Sequence, residues 1–345
     1  MPRFSAQMLT LILAISFATC ESVSSAQTQQ KKTTTKKSRK RRRRPVLPEG
    51  VVAKRNLEYA KVGEKSLKLD LYLPPKTETK PPLLVWIHGG GWRAGSKNRV
   101  YPALLRLTGE GYAVASVEYR LNGLKSHPEH THDCKGAIRW LRANSAKYGY
   151  NAERIGVAGG SAGGHIVLML GMTSGVKDLE GVVGGNLDQS SRVQAVANLY
   201  GVADFAEFAK KNGRFRTNDK KAIKLYKSAS PLSYLSKDDA PVMTFHGDKD
   251  RVVPVGQARL LHAGYKKLGL ESELHVVEGA GHGGRKFSDS KRFKLLKEFF
   301  DRHLKRWDQR MSWEDRTSFS SSCFFSIILR AWPPERSCEF AFPRL

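Results

Sequence analysis

Short apolar runs alternate with amphipathic stretches from about residue 57 to 305. Leu83-Leu84-Val85-Trp86-Ile87 is apolar at every position, the pattern of a strand covered on both faces, and comparable runs recur near 112–119, 154–159, 193–200, 241–246 and 273–277. Between them lie segments with helical patterning, such as Asp133 to Arg142 and the apolar start Ile166-Val167-Leu168-Met169-Leu170. Buried strands alternating with helices predict an α/β fold: a mostly parallel, twisted central sheet with helices on both faces. The two segments near 57–62 and 67–73 are expected to pair as an antiparallel edge. The alternation runs unbroken, so one domain over residues 51–307 accounts for it. No internal repeat is visible.

The glycines carry the chemistry. Gly159-Gly160-Ser161-Ala162-Gly163-Gly164-His165 falls at the turn from the apolar run Arg154 to Ala158 into the next helix. Gly159 and Gly163 satisfy G-x-S-x-G, in which a strained serine is tolerated only where its neighbours lack clashing side chains. The helix N-terminus directs free amides and partial positive charge at that point, and the Ala162 amide would face a developing oxyanion. His88-Gly89-Gly90-Gly91-Trp92 follows the strand at 83–87, and the Gly90 and Gly91 amides are expected to join Ala162. One such donor lowers an acyl-transfer barrier by roughly 2.7–4 kcal/mol.

Downstream, Val242-Met243-Thr244-Phe245-His246-Gly247 leads into a loop with two carboxylates, Asp248 and Asp250. His282 stands in Glu278-Gly279-Ala280-Gly281-His282-Gly283-Gly284, directly after the run Glu273 to Val277. A neutral hydroxyl is a poor nucleophile, so a serine of this kind needs an imidazole as base and a carboxylate to orient the ring. Singly, each residue reads equally well as a helix cap, a turn former or a loop residue. The chain order Ser161, Asp250, His282 is the order of α/β-hydrolases.

Taken together, HGGGW, GGSAGGH, the strand Ser116 to Leu121, the helix Asp133 to Arg142, HGDKDRVVP and GAGHG resemble, in order and over roughly residues 55–306, an α/β-hydrolase of the esterase/lipase group. The resemblance is to enzymes with an HGGG loop related to hormone-sensitive lipase, and most closely to acetyl esterases and BD-FAE-type carbohydrate esterases. It implies Ser161, Asp250 and His282 as catalytic residues, with Asp250 chosen over Asp248 by its place in D-x-x-V-P. It also implies an oxyanion hole from Gly90, Gly91 and Ala162, and substrate-binding roles for Trp92 and His165. No metal or organic cofactor is called for. The Lys-rich segment at about 201–240 falls where such enzymes insert cap helices. Gly160 departs from the Asp that many hormone-sensitive-lipase relatives carry before the serine, which favours the BD-FAE-like branch. The implied activity is a secreted carboxylic-ester hydrolase for short acyl groups, with acetyl or feruloyl esters of polysaccharides as candidate substrates. Two alternatives are a prolyl-oligopeptidase-like peptidase, which usually brings a propeller, and a non-catalytic polyanion-binding protein on the same scaffold.

Charge and the two ends add the rest. Arg3, the apolar stretch Met8 to Ala18 and the small residues Ser24-Ser25-Ala26 read as an export signal cleaved after Ala26, giving a secreted or periplasmic protein. Cys20 offers a lipoprotein alternative, although Phe17-Ala18-Thr19-Cys20 matches the usual box poorly. Residues 27–50 are expected to be a disordered linker, and Lys31 to Arg44 hold ten Lys and Arg with no acid. Such an arm suits a polyanionic surface or polymer rather than a specific nucleic-acid partner. The chain carries +27 overall, and residues 46–307 still hold 43 Lys and Arg against 26 Asp and Glu. No run is long enough to cross a membrane. Four cysteines are too few for a disulfide scaffold: Cys134 reads as a buried helix residue, while Cys323 and Cys338 could pair in the tail. His127-Pro128-Glu129-His130-Thr131-His132-Asp133-Cys134 has ligand-type residues, but Pro128 breaks regular metal spacing and the helix explains Asp133 and Cys134. The tail 308–345 has no period and no assigned role.

Overall fold

In the computed structural model, residues 46–76, 78–212 and 219–305 are described, and one sheet runs through them. Its strands are β1 (Val52–Val62), β2 (Lys65–Leu73), β3 (Pro82–Ile87), β4 (Ala113–Val117), β5 (Asn151–Gly160), β6 (Ala195–Leu199), β7 (Val242–Gly247) and β8 (Ser272–Val277). The helices are α1 (Pro102–Arg106), α2 (Glu129–Ala143), α3 (Ser145–Tyr148), α4 (Ala162–Met172), α5 (Lys177–Glu180), α6 (Phe205–Asn212), α7 (Lys220–Ala229), α8 (Gly256–Lys267) and α9 (Ser290–Phe300). Across the sheet the order is β1-β2-β4-β3-β5-β6-β7-β8. The strands from β3 to β8 pair in parallel, and β2 is antiparallel to both β1 and β4. This is the mostly parallel α/β sheet that the strand and helix patterning predicts.

The unbroken apolar character of β3 follows from its two covered faces. Leu83, Val85 and Ile87 join a buried cluster with Ile138 and Leu141 of α2 and Ile166 and Leu170 of α4. Leu84 and Trp86 point the other way, into a cluster with Leu104 of α1 and Phe299 and Phe300 of α9. Each large apolar side chain so buried contributes about 1.5–3 kcal/mol, which makes the central strands the most firmly held part of the molecule.

Departures from the sequence reading sit where polar contacts outrank hydrophobic pattern. β1 begins at Val52 rather than near 57; its outer half alternates exposed and half-buried residues and is broken by register shifts at Lys54/Leu57 and Glu58/Ala60. β4 ends at Val117, and the chain beyond it is fastened by side chains instead: Tyr119 Oη donates to His88 O (2.8 Å), and the Arg120 guanidinium grips Asp133 at 2.8–3.0 Å. Asp133 is wholly buried and also accepts from the Arg120 amide (2.8 Å), which ties the exit of β4 to α2. α2 itself starts at Glu129, four residues ahead of Asp133. Leu47, within the span expected to be linker, packs against the α1/α9 cluster.

The expected insertion consists of α6 and α7, whose Phe205, Phe208, Tyr226 and Ala229 form a third cluster with Val202 and Val253, and Trp92 packs against it. Cys134 is fully buried in the main core. Among the described residues no helix is long and apolar enough to cross a membrane. The segment 1–26 expected to be an export signal, Cys20, the residues Lys31 to Arg44, Cys323, Cys338 and the tail 308–345 lie outside the described residues.

Candidate active site

All the parallel strands end at one edge of the sheet, and the loops leaving β3, β5, β7 and β8 meet there. At the end of β5 the chain must reverse into α4 with no room for side chains. A Cβ on Gly159 would lie 2.3 Å from Gly163 O, and one on Gly163 would lie 2.1 Å from Ile87 O. G-x-S-x-G is therefore a steric requirement of this turn. Ser161 occupies its apex at φ 55°, ψ −119°, a sparsely populated region for a residue with a Cβ. Its amide is held by Leu199 O (2.9 Å) and its carbonyl by the His165 amide (3.0 Å), so both neighbouring elements fix the strained turn.

Ser161 Oγ lies 2.8 Å from His282 Nε2, and His282 Nδ1 lies 2.7 Å from Asp250 Oδ2. The other carboxylate oxygen, Oδ1, accepts from the amides of Val252 (2.8 Å) and Val253 (2.9 Å). A carboxylate can only accept, so Nδ1 carries the ring proton and Nε2 presents its lone pair to the serine hydroxyl. Burial opposes ionisation of Asp250, but hydrogen bonds from His246, His282 and the Val253 amide outweigh it and hold the carboxyl far below the usual range. Asp250 is buried, whereas Asp248 is exposed, so the two candidate acids are separated by burial and contact alike.

The glycine loop after β3 lies directly against this turn. A Cβ on Gly89 would come within 2.6 Å of Gly160 O and 3.2 Å of Ser161 Cβ. Gly90, Gly91 and Trp92 follow at φ 133°, 59° and 60°. Among the described residues, none accepts from the backbone amides of Gly90, Gly91 or Ala162. Trp92 is half-buried, its ring 5.5 Å from both Phe205 and His165.

His165, expected to bind substrate, does not reach the surface. It is 1% exposed, and both ring nitrogens are engaged: Nδ1 accepts from Trp92 Nε1 (3.2 Å) and Nε2 lies 2.8 Å from Ala229 O. The packing of α7 over α4 covers it, which its place beside a glycine motif did not reveal. Two further residues reach the site without a sequence signal of their own. Tyr200, just past β6, sets its ring edge-on to His282 at 4.8 Å and sits at φ 45°. Burial, then the charge of Asp250, push its hydroxyl up to about 12. His246 Nε2 donates to Val253 O (2.8 Å) and lies 3.5 Å from Asp250 Oδ2. Of the former ligand-type segment, Asp133 is consumed by Arg120 and Cys134 by the core.

Parallel strands feeding a strained serine, an imidazole and a buried carboxylate define the class of α/β-hydrolases. Within that class the chain belongs to the BD-FAE family, whose model matches residues 69–265. Among curated relatives, Esterase LipC of Mycobacterium tuberculosis is 33% identical over 62% of this chain and 56% of its own length. Esterase LipQ of the same organism is 30% identical over 70% of this chain and 60% of its own. The chain thus spans little more than half the length of these relatives. Among solved structures, a truncated carbohydrate esterase from gut microbiota superposes with TM-score 0.67 at 29% identity, covering 76% of this chain and all of the other. The butyrate-bound esterase Est2 of Thermogutta terrifontis gives TM-score 0.64 at 29% identity over 74% of this chain and 94% of that one.

Proposed function

We propose that this protein is a serine carboxylic-ester hydrolase for short acyl esters, with acetyl or feruloyl groups on polysaccharides as its substrate class. One observation carries the reading: Ser161 Oγ, His282 and Asp250 form a continuous hydrogen-bonded chain of 2.8 and 2.7 Å at the strained turn. The ester names of the curated relatives support the reaction, and the carbohydrate esterase and the butyrate-bound enzyme support the substrate class.

In this reading Ser161 Oγ attacks the ester carbonyl carbon while its proton passes to His282 Nε2. The carbonyl electron pair moves onto oxygen, where the amides of Gly90, Gly91 and Ala162 receive the charge. Asp250 stabilises the imidazolium through Nδ1 and keeps the ring oriented. Collapse breaks the bond to the alcohol oxygen, which takes the proton from Nε2 and departs, leaving acyl-Ser161. Water then repeats the sequence: it gives its proton to Nε2, attacks the acyl carbon, and the serine oxygen leaves with that proton. Tyr200 supports the step by confining the ring of His282 from the side.

We further propose that the chain is exported and that Lys31 to Arg44 hold it on a polyanionic surface or polymer near its substrate. The reaction is tested with p-nitrophenyl acetate and an organophosphate label. Ser161→Ala is expected to abolish acetate release, and paraoxon is expected to modify the wild-type chain at Ser161 alone. Unchanged turnover in the variant removes Ser161 from its role.

A further inference from the structure

The three positive φ angles at Gly90, Gly91 and Trp92 raise a question of support. A loop in that conformation has no ladder of its own; two turn bonds, Arg93 N and Ala94 N to Gly90 O at 3.1 and 3.0 Å, close it from within. Its outer hold is Trp92, whose carbonyl accepts from the Gly123 amide (3.0 Å) and whose indole N–H reaches His165 Nδ1 (3.2 Å). His165 lies one turn along α4 from Ser161, with its amide on the Ser161 carbonyl. Its Nε2 faces the Ala229 carbonyl at 2.8 Å; a carbonyl can only accept, so Nε2 holds the proton and Nδ1 is left as a lone pair. That lone pair is aimed at the one donor on the Trp92 side chain.

We propose that His165 is a positioning residue: by accepting from Trp92 it sets the Gly90–Gly91 loop at a fixed height above Ser161, and by donating to Ala229 it locks the imidazole in the tautomer able to do so. The inference rests on the reaction proposed above and adds to it the part that aligns the oxyanion donors. Burial holds the ring well below the ordinary histidine range, at about 3, so it stays neutral and the tautomer is constant across working pH. Phe205 closes the assembly, its ring 5.0 Å from His165 and 5.5 Å from Trp92, so the helical insertion, the glycine loop and α4 meet at this side chain.

The test compares two amides that each imitate one nitrogen. His165→Asn leaves an oxygen near the place of Nδ1 and keeps an acceptor for Trp92; His165→Gln reaches toward Ala229 and loses that acceptor. With p-nitrophenyl acetate, and with active sites counted by paraoxon labelling, His165→Gln and His165→Leu are expected to lower kcat roughly 10- to 100-fold, the scale of a misplaced catalytic group. KM should stay within about twofold, and His165→Asn should recover most of the loss. Trp92→Phe should reproduce the loss, and the Trp92→Phe/His165→Leu pair should lose no more than either alone, because both remove one contact. Trp92→Phe also serves if a His165 variant fails to fold. Wild-type kcat per labelled site in Gln, Leu and Trp92→Phe overturns the inference, as does a change confined to KM. If the wild-type chain is not labelled at Ser161, it is the reaction itself that fails.

Discussion

Asp250→Asn exchanges one oxygen for an amide nitrogen and leaves the shape of the loop alone. The direction of the effect is fixed by what the carboxylate accepts. Oδ1 accepts two backbone amides, from Val252 and Val253, and Oδ2 accepts the ring N–H of His282 at 2.7 Å, with His246 Nε2, whose proton goes to Val253 O, 3.5 Å away. An asparagine can keep its oxygen toward the amides, which places NH2 against His282 Nδ1. Alternatively it can keep its oxygen toward His282, which places NH2 against two N–H donors. The second choice leaves two buried donors without acceptors at about 1–3 kcal/mol each, so it lies roughly 4 kcal/mol higher and is populated on the order of one part in a thousand. In the favoured orientation the NH2 forces the ring proton onto Nε2, where it can no longer accept from Ser161. Turnover then falls by about 10³-fold or more, close to the tenfold-per-1.36 kcal/mol conversion of that gap. The assay is kcat and KM on p-nitrophenyl acetate with active-site titration, alongside Asp248→Asn, whose exposed side chain should matter less than twofold. A loss below tenfold for Asp250→Asn, or a larger loss for Asp248→Asn, refutes the reasoning.

Other expectations follow from buried charge and from titration. Lys97 Nζ pairs with Asp70 Oδ1 at 2.7 Å, the two residues being 3% and 0% exposed; Lys97→Met leaves that carboxylate the Asn56 amide (2.8 Å) and a longer Arg55 contact (3.4 Å) but no close cation, and should destabilise by about 3 kcal/mol, and a urea midpoint within error of wild type would count against it. Burial first, then the charge of His127, lower His130 to about 4, with Glu129 and Arg120 pulling in opposite directions. Between pH 6.5 and 4 the unfolded chain therefore takes up a proton that the folded chain refuses, so stability falls as pH is lowered through that window. His130→Gln should flatten the fall by on the order of 2 kcal/mol, and urea curves at pH 7 and 4.5 that stay parallel to wild type would reject this. Deleting residues 31–44 should spare turnover of a soluble ester yet release the protein from a heparin matrix at lower salt, whereas equal retention leaves the arm without that role.

Much of the architecture was legible because hydrophobic burial wrote it into contiguous residues. The run 83–87 is apolar throughout since both faces of β3 are covered, and the glycines at 159 and 163 are dictated by backbone atoms 2.1–2.3 Å from where a Cβ would stand. What escaped depends on contacts between distant parts of the chain. Tyr200 is one more aromatic at a strand end until β8 brings His282 against it. His165 stands four residues from Ser161 in sequence, while the residue that covers it, Ala229, lies 64 positions away. The early start of β1 was hidden by Lys54 and Arg55, charges that an edge strand accepts and a central one does not.

Among the described residues the sheet ends in β8, a strand bonded on one side only, by β7, and it is the strand that carries the chain to His282. Its start is tied to the chain after α9 by Arg302 on Glu273 and by His303 on Glu271, the residue before the strand, at 3.0 Å. Peeling that margin away would disarm the serine while the central strands remained intact. Warming or mild urea should therefore silence the molecule before it melts, and amide exchange along Ser272–Val277 should quicken in step with the vanishing activity rather than with the collapse of the core.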